Sequence, residues 1–290
     1  MDADSRLVIL TALNVEYEAV RNKIADPRVH WHQAGTRFET GRLSSDGCPV
    51  ALGLVGKGNH PAAVLAERAI AEFTPAAVLF VGVAGALRPS VELGDIVVAS
   101  QVYAYHGGTS KDDGLKARPR VWETSHRAAQ IVQHLIRTRV RRSDPPGVHF
   151  GPIAAGEIVQ DSTLSADARW IREHYNDALA IEMEAAGVAQ AGHLNRSLPV
   201  VVIRGISDRA DGTKATTDSR NWQVQAADNA AGFASTLAPL LLEGEAEMPG
   251  RLTTPPAVTY RNVATGNARV GVQAGQVDGG ITIGLRDGQS

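Results

Sequence analysis

Short, continuous apolar runs recur along most of the chain, and stretches with helical periodicity separate them. Runs that stay apolar without alternation are typical of strands buried on both faces of a sheet. Strands of this kind that alternate with helices predict an α/β fold, a three-layer α/β/α sandwich in which helices cover both faces of a central sheet. We expect this body to span residues 1–245.

The apolar runs and the helical stretches place the individual elements. Strands are predicted at Leu7–Leu13, Val50–Val55, Ala76–Val83, Gly94–Ala99 (after a turn), Ile153–Ile158, Ala178–Met183 and Pro199–Ile206. Helices are predicted at Glu16–Ile24, Pro61–Glu72, Ser125–Arg139, Ser165–His174, Glu184–His193 and Asn221–Leu242. The segment Tyr105–Arg120 has no periodicity, which predicts an irregular loop of the kind that often serves as a lid or binding loop.

Two predicted strands end in acidic residues. Glu182 and Glu184 stand where the strand Ala178–Met183 gives way to a helix, and Asp208 follows the next strand. Acidic groups at the ends of neighbouring buried strands are a usual construction of an α/β active site. The alternative is that the two glutamates cap a helix start, where negative charge is favoured. The apolar character of the segment before them favours a site.

Composition narrows the function classes. The chain has 290 residues, 43% of them hydrophobic, and a formal net charge of −2, so no basic field indicates a nucleic-acid partner. Its single cysteine excludes a disulfide framework and suits a reducing compartment. No run approaches the length of a membrane span, and no His/Cys cluster has metal-ligand spacing. We therefore expect a soluble, cytoplasmic protein without a metal or organic cofactor.

A basic stretch runs through residues 106–142. It includes the predicted loop cations Lys111, Lys116, Arg118 and Arg120. A solvated surface explains these charges as well as a functional patch does.

The last 45 residues change character. Residues 246–258 are rich in Pro, Gly and Thr, which predicts a linker, and residues 259–290 form a short Gly-rich tail. Within the tail, residues 262–284 alternate Val or Ile with Gly, Gln, Asn and Ala. Such a composition suits stacked cross-β ladders between chains, and a disordered tail is the alternative.

Five motifs in the body carry a family resemblance. Residues 7–242 resemble the nucleoside phosphorylase and nucleosidase superfamily, and they are most similar to its 5′-methylthioadenosine/S-adenosylhomocysteine nucleosidases. The motifs, each short but all in the family's order, are Ala12-Leu13-Asn14-Val15-Glu16, Gly82-Val83-Ala84-Gly85-Ala86-Leu87, Gly94-Asp95-Ile96-Val97-Val98, Ile181-Glu182-Met183-Glu184-Ala185 and Val202-Ile203-Arg204-Gly205-Ile206-Ser207-Asp208. The resemblance implies a mixed central sheet and hydrolysis of the bond between adenine and ribose.

The resemblance also implies roles for individual residues. Asp208 would protonate the leaving purine, Glu184 would hold the ribose hydroxyls and face the developing cation, and Glu16 would activate water. Carboxyl groups suit this reaction because bond cleavage develops positive charge on the sugar and negative charge on the base. The remaining expected substrate-binding residues are Met183 on the sugar, Ser207 and Arg204 in support of Asp208, Val159 as an apolar contact of the base, and Ala84 and Gly85.

Water is the expected nucleophile. Phosphorylases of this superfamily bind phosphate with an arginine just before the Gly-x-x-Gly turn, and Phe80 holds that place here. Two positions depart from the family. Val83 stands where relatives often have Ser or Thr, and Val159 lies in a segment that lacks the usual purine-stacking phenylalanine, which predicts weaker base affinity.

The 5′ substituent of the substrate stays open at this stage. A methylthio group needs an apolar pocket, whereas the phosphates of a nucleotide need cations such as those of the basic loop. Similar ATP-degrading nucleosidases act as bacterial defence effectors.

The tail segment Val270–Gly275 resembles bacterial amyloid signalling motifs related to the RIP homotypic interaction motif, which pair with NLR-like sensor proteins. The alternatives to a salvage enzyme are therefore a tail-switched nucleotide nucleosidase and a non-catalytic signalling adaptor. The resemblance implies a homodimer or a larger assembly.

Overall fold

The computed structural model describes residues 6–43, 47–142 and 146–243, and for residues 140–142 it describes the backbone alone. The strands are β1 (Leu7–Thr11), β2 (Ile24–Trp31), β3 (Arg37–Leu43), β4 (Pro49–Leu54), β5 (Ala77–Ala86), β6 (Ile96–Ala104), β7 (Gly108–Lys111), β8 (Gly114–Ala117), β9 (Arg120–Glu123), β10 (Val148–Ala155), β11 (Ala180–Glu182) and β12 (Val200–Asp208). The helices are α1 (Asn14–Arg21), α2 (Asn59–Phe73), α3 (His126–Arg142), α4 (Ala166–His174), α5 (Ala185–Leu194), α6 (Lys214–Ser219) and α7 (Trp222–Glu243). The predicted linker and tail lie outside the described residues.

The central sheet is mixed and half of it closes on itself. Its strand order is β11-β10-β6-β12-β5-β1-β4-β3-β2, with β9 paired to β6. The strands β4, β1, β5 and β12 run parallel, whereas β6 is antiparallel to β12. Because β11 pairs with β10 on one side and with β5 on the other, the strands β11, β10, β6, β12 and β5 form a closed ring.

Side chains of each central strand are buried on both faces of the sheet, which explains the continuous apolar runs. Along β1, Leu7 and Ile9 join a core with α1, α3 and α7, while Val8 and Leu10 join a second core with α2 and α5. Successive side chains of a strand point to opposite faces, so helices must cover both. The predicted α/β/α layering with a central mixed sheet is confirmed.

Three local predictions were wrong. The segment Tyr105–Arg120 contains the hairpin β7–β8, where Lys111 pairs with Gly114 across a two-residue turn. Its strands are short and polar, so they give no apolar alternation. Helix α1 ends at Arg21, and Ile24 already begins β2, which with β3 extends the sheet. The strand predicted at Ile153–Ile158 runs from Val148 to Ala155.

Within the part of the chain that the structure describes, no helix is both long enough and apolar enough to cross a membrane.

Candidate active site

A cavity of about 150 Å³ opens where β1, β5 and β12 end and β11 crosses the end of β5. All three predicted catalytic acids, Glu16, Glu184 and Asp208, contribute to its wall. They come from the first turn of α1, the start of α5 and the last residue of β12. The carboxyl ends of parallel strands meet at one edge of a sheet, which explains how residues so distant in sequence converge.

Asp208 is fixed by three donors. Its Oδ1 accepts a hydrogen bond from the Ala210 amide at 3.0 Å, and its Oδ2 accepts one from Ser207 Oγ at 3.0 Å. Lys214 Nζ lies 2.8 Å from the same Oδ2. Asp208 is only 4% exposed, so the protein rather than solvent sets the orientation of its carboxyl group. The hydroxyl of Ser207 is therefore in direct hydrogen-bond contact with Asp208.

Lys214 is a functional candidate that the sequence did not single out. Burial would lower the pKa of its ammonium, but the hydrogen bond to Asp208 and the charges of Asp208, Asp218 and Asp161 outweigh burial and raise the pKa. The residue begins α6, a helix that was not predicted. Spacing from Asp208 alone gave no signal for this contact, because residues 209–213 form an irregular turn.

Glu182 and Glu184 have different tasks although they are two residues apart. Glu182 accepts hydrogen bonds from the amides of Glu184 and Ala185, so it caps α5 as the alternative interpretation predicted. Glu184 is the residue at the cap position of α5, and its Oε1 accepts the Gly58 amide at 3.0 Å. The capping interpretation is thus right for Glu182, whereas the carboxylate of Glu184 is held by a loop from another part of the chain.

The protonation of Glu184 is shifted into the neutral range. Burial raises the pKa of Glu184 to about 7, the nearby charge of Glu182 adds to the rise, and Arg204 and the Gly58 amide oppose it. A carboxyl group in this state can gain or lose its charge near neutral pH.

Glu16 is the most enclosed of the three acids. Its Oε2 accepts the amides of Ala12 and Leu13 at 2.8 and 2.9 Å, and its Oε1 accepts the Val83 amide at 2.8 Å. Burial raises the pKa of Glu16, while the charge of Arg204 and the three amides oppose the rise. The bond to Leu13, the residue before α1, makes Glu16 a helix-start residue as well as a wall of the cavity.

Arg204 does not support Asp208, and this prediction was wrong. Its Nη2 lies 2.6 Å from Glu182 Oε2, and its guanidinium carbon lies 4.0 Å from the centre of the Phe80 ring. Only 1% of the residue is exposed, and it does not line the cavity. Arg204 sits on β12 and Glu182 on β11, two strands of the closed ring that both pair with β5. The pair therefore forms only when the ring closes.

Two glycines of β5 make room for the acids. A Cβ atom at Gly82 would lie 2.6 Å from Glu16 Oε1 and closer still to Arg204 Nη1, and one at Gly85 would lie 2.7 Å from Asp208 Oδ1. Larger residues at these positions would displace the carboxylates. Gly85 therefore serves the site by its lack of a side chain.

The other predicted substrate contacts also line the cavity. Met183 is half-buried beside Glu184, Ala84 is 5% exposed, and Val159 is 57% exposed at the rim. Val83 contacts Glu16 through its backbone amide, and its side chain has no hydroxyl group to offer the cavity. The polar lining residues that sequence reasoning missed are Lys57, Lys214, Gln160 and Gln223.

A larger cavity of about 540 Å³ lies between β9, α5 and the start of β12. It is lined by Trp122, His193 and Leu198 among others, and by none of the three acids. Chemistry therefore favours the smaller cavity as the active site. Among the described residues, no group of three or more His, Cys, Asp or Glu could hold a metal ion.

Comparisons with known proteins identify the family and the fold. A family model described as the phosphorylase superfamily matches residues 6–239. The 5′-methylthioadenosine/S-adenosylhomocysteine nucleosidase of Maridesulfovibrio salexigens is 31% identical over 212 residues, which cover 72% of this chain and 89% of that protein. The ATP nucleosidase Cap17 of Escherichia coli is 28% identical over 240 residues, which cover 72% of this chain and 46% of that protein.

A solved structure also matches the fold. It is the 5′-methylthioadenosine/S-adenosylhomocysteine nucleosidase of Neisseria meningitidis in complex with methylthio-immucillin-A. The match has a TM-score of 0.68 at 24% identity and covers 80% of this chain and 98% of the other.

Replacing Arg204 tests the buried ion pair. Arg204→Met should lower the free energy of unfolding by about 3–5 kcal/mol, because it leaves the Glu182 carboxylate buried without its cation. The double variant Arg204→Met/Glu182→Met should recover part of that loss. Urea titration followed by circular dichroism measures both values.

A matched control is Arg209→Met, whose guanidinium is also 2.6 Å from a carboxylate, that of Glu92, but at the surface. We expect a loss below about 1 kcal/mol there. Equal losses in the two variants would contradict the structural importance of the buried pair.

Proposed function

Because this chain belongs to the phosphorylase superfamily, we propose that it is a purine nucleosidase that hydrolyses the N-glycosidic bond of an adenosine derivative and releases adenine. The single observation that carries the proposal is the convergence of Glu16, Glu184 and Asp208 on one cavity. The nucleosidase relatives support adenine as the leaving group and water as the nucleophile.

The three acids divide the reaction between them. Asp208 donates its proton to the purine N7, which neutralises the negative charge that develops as the bond breaks. Ser207 and the Ala210 amide hold the carboxyl group in position for this step. Glu184 binds the ribose hydroxyls, and its negative charge stabilises the positive sugar.

Water completes the reaction. Glu16 accepts the proton of the water molecule that attacks the sugar carbon, and its raised pKa makes it a stronger base for that purpose. Each turnover leaves Glu16 protonated and Asp208 ionised, and exchange with solvent restores both. Phe80 supports water over phosphate, because the residue in the place of the phosphate-binding arginine is a buried aromatic ring beneath Arg204.

Purified protein should release adenine from methylthioadenosine, S-adenosylhomocysteine or an adenine nucleotide without added phosphate. In Asp208→Asn, turnover should fall by roughly 10²–10⁴-fold, because an amide cannot replace the acid. Chromatography of released adenine measures both outcomes.

The control for this substitution is Asp211→Asn, three residues away, whose carboxylate bonds Thr213 and does not line the cavity. It should keep wild-type turnover. Strict dependence on phosphate would place the protein among phosphorylases, and wild-type turnover in Asp208→Asn would remove Asp208 from the mechanism.

The pH profile tests Glu184. Its raised pKa of about 7 keeps the carboxyl group protonated below that pH, and only the ionised form stabilises the cation. We therefore expect kcat/KM to fall about tenfold per pH unit below a midpoint near pH 7. Initial rates between pH 5.5 and 8.5, with circular dichroism at each pH, measure this profile.

Substitutions identify the titrating group. Glu184→Gln should have low activity without that midpoint, whereas Glu157→Gln, an exposed glutamate outside the cavity lining, should keep it. An unchanged midpoint in Glu184→Gln would assign the titration to another group.

We also propose that residues 262–284 assemble the chain with itself or with an NLR-like sensor protein that carries a matching segment. The resemblance of Val270–Gly275 to amyloid signalling motifs and the low charge of the segment support this role. The resemblance to dimeric nucleosidases supports a body that is itself a homodimer or larger. The lone cysteine suits work in the cytoplasm.

Deletion of residues 257–290 separates catalysis from assembly. The full chain should form thioflavin-positive fibres. The truncated chain should release adenine at the wild-type rate without forming them, and Val272→Lys should abolish the fibres of the full chain. Fibres in the truncated chain would contradict the proposal. A body inert toward every nucleoside, with its acids still required for partner binding, would instead support the adaptor alternative.

A further inference from the structure

Lys57 is a cavity residue whose charge has no use in the mechanism above. Two lysines line the cavity, and one of them, Lys214, lies 2.8 Å from Asp208. The other, Lys57, is exposed, and among the described residues no carboxylate lies within ion-pair distance of its ammonium. A lysine without such an ion pair among the described residues is available to a ligand that brings its own negative charge.

The backbone around Lys57 is fixed although the side chain is free. Gly56 and Gly58 both adopt positive φ angles, of 77° and 94°, which other residues rarely adopt. The Gly58 amide donates to Glu184, and Asn59 bonds both the Gly156 carbonyl and the Gly187 amide. Lys57 is therefore held one residue from the amide that positions Glu184.

The position of Lys57 relative to Glu184 and Asp208 identifies the part of a substrate that Lys57 can reach. With the purine at Asp208 and the ribose hydroxyls at Glu184, the 5′ carbon lies at the end of the sugar that is remote from the base. Lys57 adjoins Glu184, whereas Lys214 adjoins Asp208. Lys57 therefore lies at the Glu184 end of the cavity, the end toward which a 5′ substituent would extend.

The charge of Lys57 discriminates between the two kinds of 5′ substituent. A neutral thioether gains nothing from an ammonium group and would strip it of water, which costs free energy. A phosphate oxygen gains a charge-assisted hydrogen bond, and the ammonium offsets its repulsion by Glu184.

We propose that Lys57 binds an anionic group on the 5′ carbon, so that the preferred substrates are adenosine 5′-phosphates rather than 5′-thioethers. This inference rests on the proposed nucleosidase function. It differs from the possibility, left open by the sequence, that Lys111, Lys116, Arg118 and Arg120 meet the phosphates, because none of these residues lines the cavity. Lys116 is instead paired with Asp113 at 2.8 Å.

The test compares substrates in the full-length protein. Adenine release would be measured with ATP, ADP, AMP, adenosine and methylthioadenosine for the wild type, Lys57→Met and Lys57→Arg. The wild type should prefer the nucleotides. Lys57→Met should lower kcat/KM for them by roughly 10–100-fold, mainly through KM, because a hydrogen bond to a charged group is lost. Its kcat/KM for methylthioadenosine should stay within about twofold, and Lys57→Arg should retain the nucleotide preference.

Two further variants complete the design. Lys23→Met removes a lysine that does not line the cavity and should change kcat/KM neither for nucleotides nor for methylthioadenosine. Lys116→Met should also leave the nucleotide KM unchanged, and a rise in that KM without one in Lys57→Met would overturn the inference in favour of the hairpin. Added salt should raise the wild-type KM for nucleotides and should have little effect in Lys57→Met.

The outcomes separate this inference from the proposed function. Release of adenine from methylthioadenosine but not from nucleotides would overturn the role of Lys57 and leave the nucleosidase function intact. Equal losses for nucleotides and methylthioadenosine in Lys57→Met would make Lys57 a structural residue and also overturn it. Absence of adenine from every substrate would overturn the nucleosidase function and the inference with it.

Discussion

The buried ion pair between Arg204 and Glu182 is the interaction on which the site depends. Its nitrogen and oxygen lie 2.6 Å apart, and the two side chains are 1% and 3% exposed. Two buried charges are costly to remove from water, so each needs the other. Because Glu182 also binds the Glu184 and Ala185 amides, the pair fixes the start of α5 and with it the direction of Glu184. The charge of Arg204 also opposes the rise in the pKa values of Glu16 and Glu184.

Closure of half the sheet makes this arrangement possible. Strand β11 pairs with both β10 and β5, which brings Glu182 to the interior near β12. The glycines Gly82 and Gly85 of β5 leave space for the carboxylates of Glu16 and Asp208, which a Cβ atom would meet at 2.6 and 2.7 Å. The site is therefore built from three acids, one buried cation and two places without side chains. Strand β12 carries Asp208, α1 carries Glu16, and the Gly58 amide of the loop before α2 holds the carboxylate of Glu184.

The cavity has one lysine at each end. At the base end Lys214 compensates Asp208, and at the sugar end Lys57 stands beside the loop that binds Glu184. The buried guanidinium of Arg204 pairs with Glu182 and does not line the cavity. A substrate with a negatively charged 5′ group would pair with Lys57, whereas a neutral substrate would leave Lys57 without an ion pair. The proposed chemistry and the proposed substrate class follow from the same set of charges.

The sequence by itself determined the layered α/β fold, the order of its principal strands and helices, and the three acids at the cavity. The fold rests on apolar runs and helical periodicity, and the helix ends fall within about two or three residues of the predicted ones. The three acids rest on the short motifs that carry the family resemblance. Tertiary structure alone decided the ring closure, the hairpin β7–β8, the strands β2 and β3, and the partners of individual charges. Arg204 could pair with Glu182 or Asp208 as far as sequence spacing goes, and only the pairing of β11 with β5 selects Glu182. No periodic pattern predicts that Lys57 and Lys214 reach the cavity, because a loop carries Lys57 and an irregular turn precedes Lys214. Contacts between residues distant in sequence have no local pattern.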